Sequence, residues 1–496
     1  SSTQLRKLAE IARNYDRGYG HFSTRQNIQY NWPKLQDVPK ILAELASVEM
    51  HAIQTSGNCI RNTTSDHFAG VARDELVDPR VYCEIIRQWS TFHPEFAFLP
   101  RKFKIAVTGA PTDRAAVRIH DIGVRVIANP NVGPNDPEPF GFEILVGGGL
   151  GRTPRIAEIC REYLPREHLL SYLEAILRVY NRHGRRDNKF KARIKILVGA
   201  LGIETFREQV EAEWALIRDG VMRLTTAEFD RVAGFFEPPA YRELPPSDTY
   251  VAALKLGSDR LLGRWVASNV IAHKVPGYSI VSISLKPKGK PPGDATSEQM
   301  ELVAELADQF GFGQIVVAHE QNLVLPDIES ERLPELHARL TELDLAEPNI
   351  GKVTDIIACP GLDYCNLANA RSIPIATRIG EHLEDLDYVH DLGDITLNIS
   401  GCINACGQHH VGNIGILGID KQGEEFYQLM LGGSAGDDAS LGKILGPAFA
   451  SEQIIDAVDT VLRTYIDSRE SAEESFLDYV RRVGFEPFKE RLYGHA

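Results

Sequence analysis

The sequence predicts an α+β fold made of internally duplicated, pseudo-twofold modules, and three observations carry that prediction. Gln4–Ile28 aligns without gaps with Gln299–Leu323: Gln4, Ala9, Glu10, Ala12, Gly18, Gln26 and Asn27 recur as Gln299, Ala304, Glu305, Ala307, Gly313, Gln321 and Asn322, and Tyr15 recurs as Phe310. Further blocks repeat in the same order. Val107-Thr108-Gly109 matches Ile399-Ser400-Gly401, Asp121-Ile122-Gly123-Val124 matches Asn413-Ile414-Gly415-Ile416, Phe142 to Gly148 matches Tyr427 to Gly433, and Gly151 matches Gly436. Within each copy a helix-period run, a glycine turn, a strand-like run, a second helix and several short strands follow one another, the pattern of an α+β module with mixed or antiparallel sheets.

The first element follows from Ser1-Ser2-Thr3-Gln4, a set of capping residues ahead of Leu5, Leu8, Ile11 and Ala12 at helical spacing. Because the chain opens on Ser1, a preceding segment is expected to have been removed. Pro100-Arg101-Lys102-Phe103-Lys104-Ile105-Ala106-Val107 reads as the start of a strand. Residues two apart on a strand share a face, so Lys102 and Lys104 project together, roughly 7 Å apart. Thr153 to Phe235 reads as helical, with Leu169, Leu173, Ile176, Leu177 and Tyr180 on one stripe, and Pro238-Pro239 and Pro245-Pro246 end it. Thr249 to Leu285 reads as strands, closed by the loop Lys286 to Gly293. Four domains are expected: 1-50, 51-245, 246-345 and 346-496.

At 496 residues, with 43% hydrophobic and 25% charged residues, the composition is that of an ordinary soluble globular protein. No run approaches the roughly 18 apolar residues of a membrane span. A balance of 54 basic against 68 acidic residues, net -14, argues against nucleic-acid binding, so any anion site must be a local cluster of cations. Seven cysteines, an odd number, favour a reducing, cytoplasmic compartment over a disulfide framework.

Four of those cysteines form two tight pairs, Cys359-Pro-Gly-Leu-Asp-Tyr-Cys365 and Cys402-Ile-Asn-Ala-Cys406-Gly. Four thiolates from two short loops suit an iron-sulfur cluster or a zinc ion. Neither spacing is the two-residue spacing of common zinc fingers, so the cluster leads; a non-catalytic zinc or cluster staple is the alternative. Cys59, Cys83 and Cys160 are scattered and read as structural. The first copy carries cations where the second does not: Arg25 aligns with Glu320, Lys102 with Asp394 and Lys104 with Thr396. Arg61 sits at the centre of the polar turn Gly57 to Thr64, and the basic stretch Arg182 to Lys195 reads equally as a partner or cofactor contact and as a solvated helix face. The run Gly147-Gly148-Gly149-Leu150-Gly151 lacks the spacing of a dinucleotide site. With no nicotinamide or flavin motif, the electrons of any redox reaction come from a partner.

With these motifs the chain resembles the assimilatory sulfite reductase hemoproteins of the sulfite and nitrite reductase family over nearly its whole length. The resemblance implies ferredoxin-like half-domains alternating with siroheme and [4Fe-4S]-binding α+β modules. It implies that Cys359, Cys365, Cys402 and Cys406 hold the cluster, Cys406 also bridging to the siroheme iron. Arg25 and Gln29 of the Thr24-Arg25-Gln26-x-x-Gln29 motif, Arg101 and Asn404 become siroheme-binding residues; Arg61, Lys102 and Lys104 surround the anion. The implied reaction is six-electron reduction of sulfite to sulfide in sulfur assimilation and cysteine biosynthesis, fed by a ferredoxin or a flavoprotein reductase. Nitrite reduction to ammonia is the nearest rival, and Lys104, where that branch typically has Asn, favours sulfite. Ile403 stands where the family usually has Pro, His21 where some members have Arg, and a further active-site Arg is expected on a strand preceding Ser1.

Overall fold

A computed structural model describes residues 1–133 and 139–494. The chain divides into two compact units, one of residues 52–149 and 153–242, the other of residues 1–51, 150–152 and 243–496.

The first of these units is built on a five-stranded sheet of β1 (Thr64–Ser65), β2 (Ile105–Thr108), β3 (Ile122–Ala128), β4 (Phe140–Val146) and β5 (Glu158–Pro165), in that spatial order. The pairings β1–β2 and β2–β3 are parallel, and β3–β4 and β4–β5 antiparallel. The helices Pro79–Ser90, Leu169–His183 and Ile203–Ile217 bury Tyr82, Ile86, Leu173, Ile176, Tyr180 and Phe206 in the same core as Val107, Val124 and Ile144. Two sequence expectations change here. The strand predicted from Pro100 begins only at Ile105, and Phe103 contributes a lone parallel bridge to Ile60. Glu158–Pro165, expected to be helical, is a strand paired antiparallel with β4; its buried Cys160 and Leu164, four residues apart, suit either period, so the pairing decides.

The other unit contains the second module, with the same order and the same senses. In β6 (Ile357–Ala358), β7 (Leu397–Ser400), β8 (Ile414–Lys421), β9 (Glu424–Leu431) and β10 (Lys443–Ile444), β6–β7 and β7–β8 are parallel, and β8–β9 and β9–β10 antiparallel. The duplication holds at single hydrogen bonds. Lys104 N–H donates to the Asp121 carboxylate (2.8 Å) and Thr396 N–H to Asn413 Oδ1 (2.9 Å) at the aligned positions.

The half-domains of this unit are related in the same way. Helix Ser2–Tyr15 starts in a capping box of Ser1 and Gln4, and helix Ser297–Phe310 in one of Thr296 and Gln299. Ser2 N–H donates to Gly313 O and Ser297 N–H to Gly18 O, while Gln26 Nε2 donates to Val317 O and Gln321 Nε2 to Phe22 O. These reciprocal bonds explain why those glutamines and glycines recur in the sequence. Gly18 and Gly313 both have φ near +75° (78° and 71°), where a Cβ is unfavourable. The stretch from Thr249, expected to be strands, instead forms helices Asp248–Lys255 and Arg260–Asn269 before the strands Val270–Ala272 and Tyr278–Ile283. Asp259 caps the second helix through Leu261 and Leu262 N–H, and Trp265, Val266 and Asn269 bury one face of it. Among the described residues no helix is long and apolar enough to cross a membrane.

Candidate active site

The four paired cysteines lie in the unit that carries the second module, on loops set by its parallel strands. Cys359 follows β6 directly, and Cys402 and Cys406 follow β7. Cys359 and Cys402 are buried, Cys365 is half-buried and Cys406 exposed; all four are free thiols. They are electrostatic neighbours: burial first, and then the negative charges of Cys406, Cys359 and Cys365, push the Cys402 thiol up, against the Asn404 N–H that lowers it. Gly401 N–H donates to Cys359 Sγ at 3.2 Å, the N–H to sulfur contact that stabilises a ligating thiolate.

No group of three or more His, Cys, Asp or Glu among the described residues is arranged to clasp a single ion. Four thiols on two loops, with an N–H aimed at one sulfur, fit a cluster with one iron per cysteine.

The loop that presents Cys402 and Cys406 is strained and tightly seated. Ala405 (φ 55°) and Gln408 (φ 60°) occupy the left-handed region. Gly407 leaves no room for a side chain, since a Cβ there would lie 1.9 Å from Ile399 O of β7. Gly407→Ala is therefore expected to cost about 3 kcal/mol of stability and to lower iron bound per chain; urea unfolding and iron analysis measure both. Thr24 Oγ1 donates to the Cys406 carbonyl at 2.9 Å, tying the Thr24-Arg25-Gln26 turn to the cysteine loop. Arg25 is half-buried beside it, its N–H on Ser23 Oγ, whereas Gln29 is exposed on a two-residue strand and donates to Asn31. Asn404 is exposed on the cysteine loop. His21 is buried between Asp294 and Gln321, a structural position, and Ile403 is partly exposed on the loop.

Arg61, Arg101, Lys102 and Lys104 all belong to the other unit. Phe103 and Ile105 are fully buried while Lys102 and Lys104 are partly exposed, so the two lysines share the face opposite the core although they precede β2. Arg61 N–H donates to Phe103 O (2.8 Å), which docks the arginine loop on the lysine segment. The Arg61 guanidinium donates to Gly57 O and Thr55 O, using two of its five donors. Its pKa is lowered by burial and, among nearby charges, by the cations Arg101 and Arg193, with Cys59 opposing.

Sequence reasoning marked Arg182 to Lys195 only as a basic stretch and missed Asp121, which ties Arg193 of that stretch to the lysine segment. Asp121, fully buried, accepts Lys104 N–H and is gripped by Arg193 through three contacts of 2.7–2.9 Å. Lys195 is also buried, its Nζ donating to Gly149 O at 3.3 Å. The repeat held one clue, since Asp121 replaces the neutral Asn413 of the second copy; the partnership with Arg193, 72 residues away, is visible only in the fold.

Burial, and secondarily Arg193, lowers the Lys195 ammonium from 10.5 to about 8, while Asp121 opposes. Between those values the unfolded chain binds more protons than the native one, so this group adds stability as pH rises from about 8 to about 10.5. The expected gain is on the order of 3 kcal/mol. Lys195→Met should lose that rise, and urea unfolding of both proteins across this window measures the difference. Crowded cations with one buried carboxylate among them fit a polyanion such as a tetrapyrrole with many carboxylates.

A duplicated α+β chain with four converging thiols in one module and a cation cluster in the other defines a class, an iron-sulfur oxidoreductase acting on an anion. The chain belongs to the nitrite and sulphite reductase 4Fe-4S domain family, whose profile matches residues 56–217 and 350–495; the nitrite/sulfite reductase ferredoxin-like half-domain matches residues 1–48 and 278–343. The cofactors of this family are siroheme and a [4Fe-4S] cluster. Sulfite reductase (ferredoxin) 2 of Mycolicibacterium paratuberculosis is 30% identical over 95% of this chain and 78% of its own length. The chloroplastic ferredoxin–nitrite reductase of Arabidopsis thaliana is 28% identical over 93% and 73%. The solved structure of the Mycobacterium tuberculosis NirA protein superposes with a TM-score of 0.79, at 28% identity, over 98% of this chain and 82% of that one.

Proposed function

We propose that this chain reduces sulfite to sulfide, taking six electrons from a ferredoxin. The observation that carries the reading is the pairing of Lys102 and Lys104 on one face, with the Lys104 backbone anchored through Asp121 and Arg61 docked alongside. Relatives named as sulfite reductase (ferredoxin), 30% identical to this chain, support the substrate and the donor. Nitrite reductases also stand among the relatives, and Lys104 favours the sulfur oxyanion over nitrite because the larger anion gains a second cation for its additional oxygen. A flavoprotein reductase is the other donor class for the same chemistry.

When bound, siroheme and a [4Fe-4S] cluster would supply an iron for the anion and a store of electrons. Cys359, Cys365, Cys402 and Cys406 would hold the cluster, and the exposed Cys406 suits the bridge to siroheme. Arg25, Gln29, Arg101 and Asn404 would bind siroheme carboxylates, and we add Arg193 and Lys195 to that proposed set because both cations lie in the same unit as Arg101. Arg61 holds a fixed charge on the sulfite oxygens, since guanidinium does not give up its proton at working pH. Lys102 and Lys104 stabilise the negative charge that grows on each oxygen as its bond to sulfur weakens, and each can pass a proton to the oxygen that leaves as water.

The division into 1–50, 51–245, 246–345 and 346–496 gives each half-domain and each module its own part of this task. Free thiols throughout suit a reducing cytoplasm, and sulfide as product suits sulfur assimilation into cysteine. Steady-state assays of the cofactor-loaded enzyme with both anions test the assignment. The expected result is a higher kcat/KM for sulfite; a far higher value for nitrite overturns it. The visible spectrum separates this reading from a zinc staple: tetrapyrrole and cluster absorbance is expected, and a colourless zinc protein would sink the enzyme reading.

A further inference from the structure

The internal repeat makes each position of one module a control for its counterpart in the other. A Cβ on Gly123 of β3 would lie 2.5 Å from Val117 O, and one on Gly415 of β8 would lie 2.0 Å from His409 O. Ala157 N–H donates to Arg118 O (2.7 Å), and Gly442 N–H to His410 O (2.8 Å). Ala106 pairs with Gly123 across β2–β3, and Asn398 with Gly415 across β7–β8. His409 therefore stands at the address of Val117, and Asn398 at that of Ala106.

In the first module that address is apolar. Ala106 and Val117 are fully buried in one small cluster with Ala115, Leu145 and Ala157. In the second module the same address is polar and just as enclosed: Asn398 is 3% exposed and His409 0%. Asn398 Oδ1 and both ring nitrogens of His409 have no hydrogen-bond partner among the described residues. Each such orphan costs roughly 1–3 kcal/mol if left dry, and buried polar groups without protein partners are ordinarily met by ordered water. The two side chains flank one stretch of chain. Asn398 Nδ2 donates to Gln408 O at 3.3 Å, and a Cβ on Gly412 would lie 2.9 Å from Asn398 Cβ. His409 is closed off although Cys406, three residues earlier on the loop, is exposed, so the imidazole does not open onto the side where Cys406 meets solvent.

We propose that Asn398 and His409 bind internal water behind the Cys402–Cys406 loop, and that His409 acts through it as a positioning residue for the cluster. Water donates to Asn398 Oδ1 and to the unprotonated nitrogen of His409, and accepts from the protonated one. Held from that side, the Asn398 amide keeps its bond to the carbonyl of Gln408, whose φ of 60° needs such support. The site stands whether sulfite or nitrite is the substrate.

A crystal structure of the cofactor-loaded protein tests the site directly. Ordered water within hydrogen-bond distance of Asn398 Oδ1 and of a His409 nitrogen is expected; a dry site, or direct bonds from both groups to protein, overturns the proposal. Positioning is read from the rate at which a chelator bleaches the cluster absorbance. His409→Leu should bleach on the order of fivefold faster, the effect of about one lost hydrogen bond, and His409→Gln should restore most of the parent rate. A leucine variant that bleaches at the parent rate overturns the positioning role. Should that variant fail to fold, the crystal structure of the unsubstituted protein still decides whether the water exists, and the Gln variant alone decides the positioning role, a rate as fast as that of unfolded protein counting against it.

Discussion

Cys402→Ser is expected to leave the protein without its cluster and without measurable anion reduction. The loss should exceed the roughly 10–100-fold that removing an outer partner costs a metal site, because a ligand itself is removed. The thiol is buried and surrounded by three others, so the hydroxyl put in its place has no other role at that position. Iron per chain and the visible spectrum of the purified variant measure the outcome. Cys160→Ser is the control. Cys160 is fully buried in the core of the other unit, 3.6 Å from the Tyr172 hydroxyl, and burial pushes its thiol up to about 11. It behaves as a packed apolar group, so its variant should lose some stability and keep its iron. Iron retained by Cys402→Ser at the parent level would refute the assignment of the four thiols.

Lys104→Ala is expected to lower kcat/KM for sulfite by about 10²–10³, the usual loss when one donor to a developing oxyanion is removed. Asp121 accepts the backbone N–H of Lys104, a bond that truncation of the side chain keeps, and the side chain lies on the partly exposed face. Truncation should therefore leave the fold and the cofactor spectrum in place. Lys104→Arg should recover part of the charge but not the proton transfer, since guanidinium stays protonated. Loss of activity accompanied by loss of the cofactor absorbance would move Lys104 from anion binding to cofactor retention.

Fold and site differ in how far the chain itself disclosed them. Recurring Gln4, Gly18 and Gln26 announced the half-domains because each does work that only its residue type can do: a capping box, a positive φ, and a side-chain amide reaching across the pseudo-twofold. The stretch from Thr249 misled, since its apolar residues suit either period and Asp259, which caps the second helix, is a cue that reads equally as a turn. The strand from Pro100 was extended too far because alternation of Lys102, Phe103, Lys104 and Ile105 persists beyond the hydrogen-bonded ladder. Alternation reports which side faces the core, and a ladder needs a neighbouring strand as well.

The sequence by itself determined the duplication, the α+β class and the cysteine pairs, because each is written in residues close together or in repeats at a constant offset. Only the tertiary structure decided what supports the site. Asp121 with Arg193, Thr24 with the Cys406 carbonyl, and the polar address of Asn398 and His409 join positions from distant parts of the chain or from facing strands. Their meaning lies in distance and burial: a carboxylate is an anchor when Arg193 reaches it inside the core, and a histidine stands out when both its nitrogens are enclosed without a hydrogen-bond partner among the described residues.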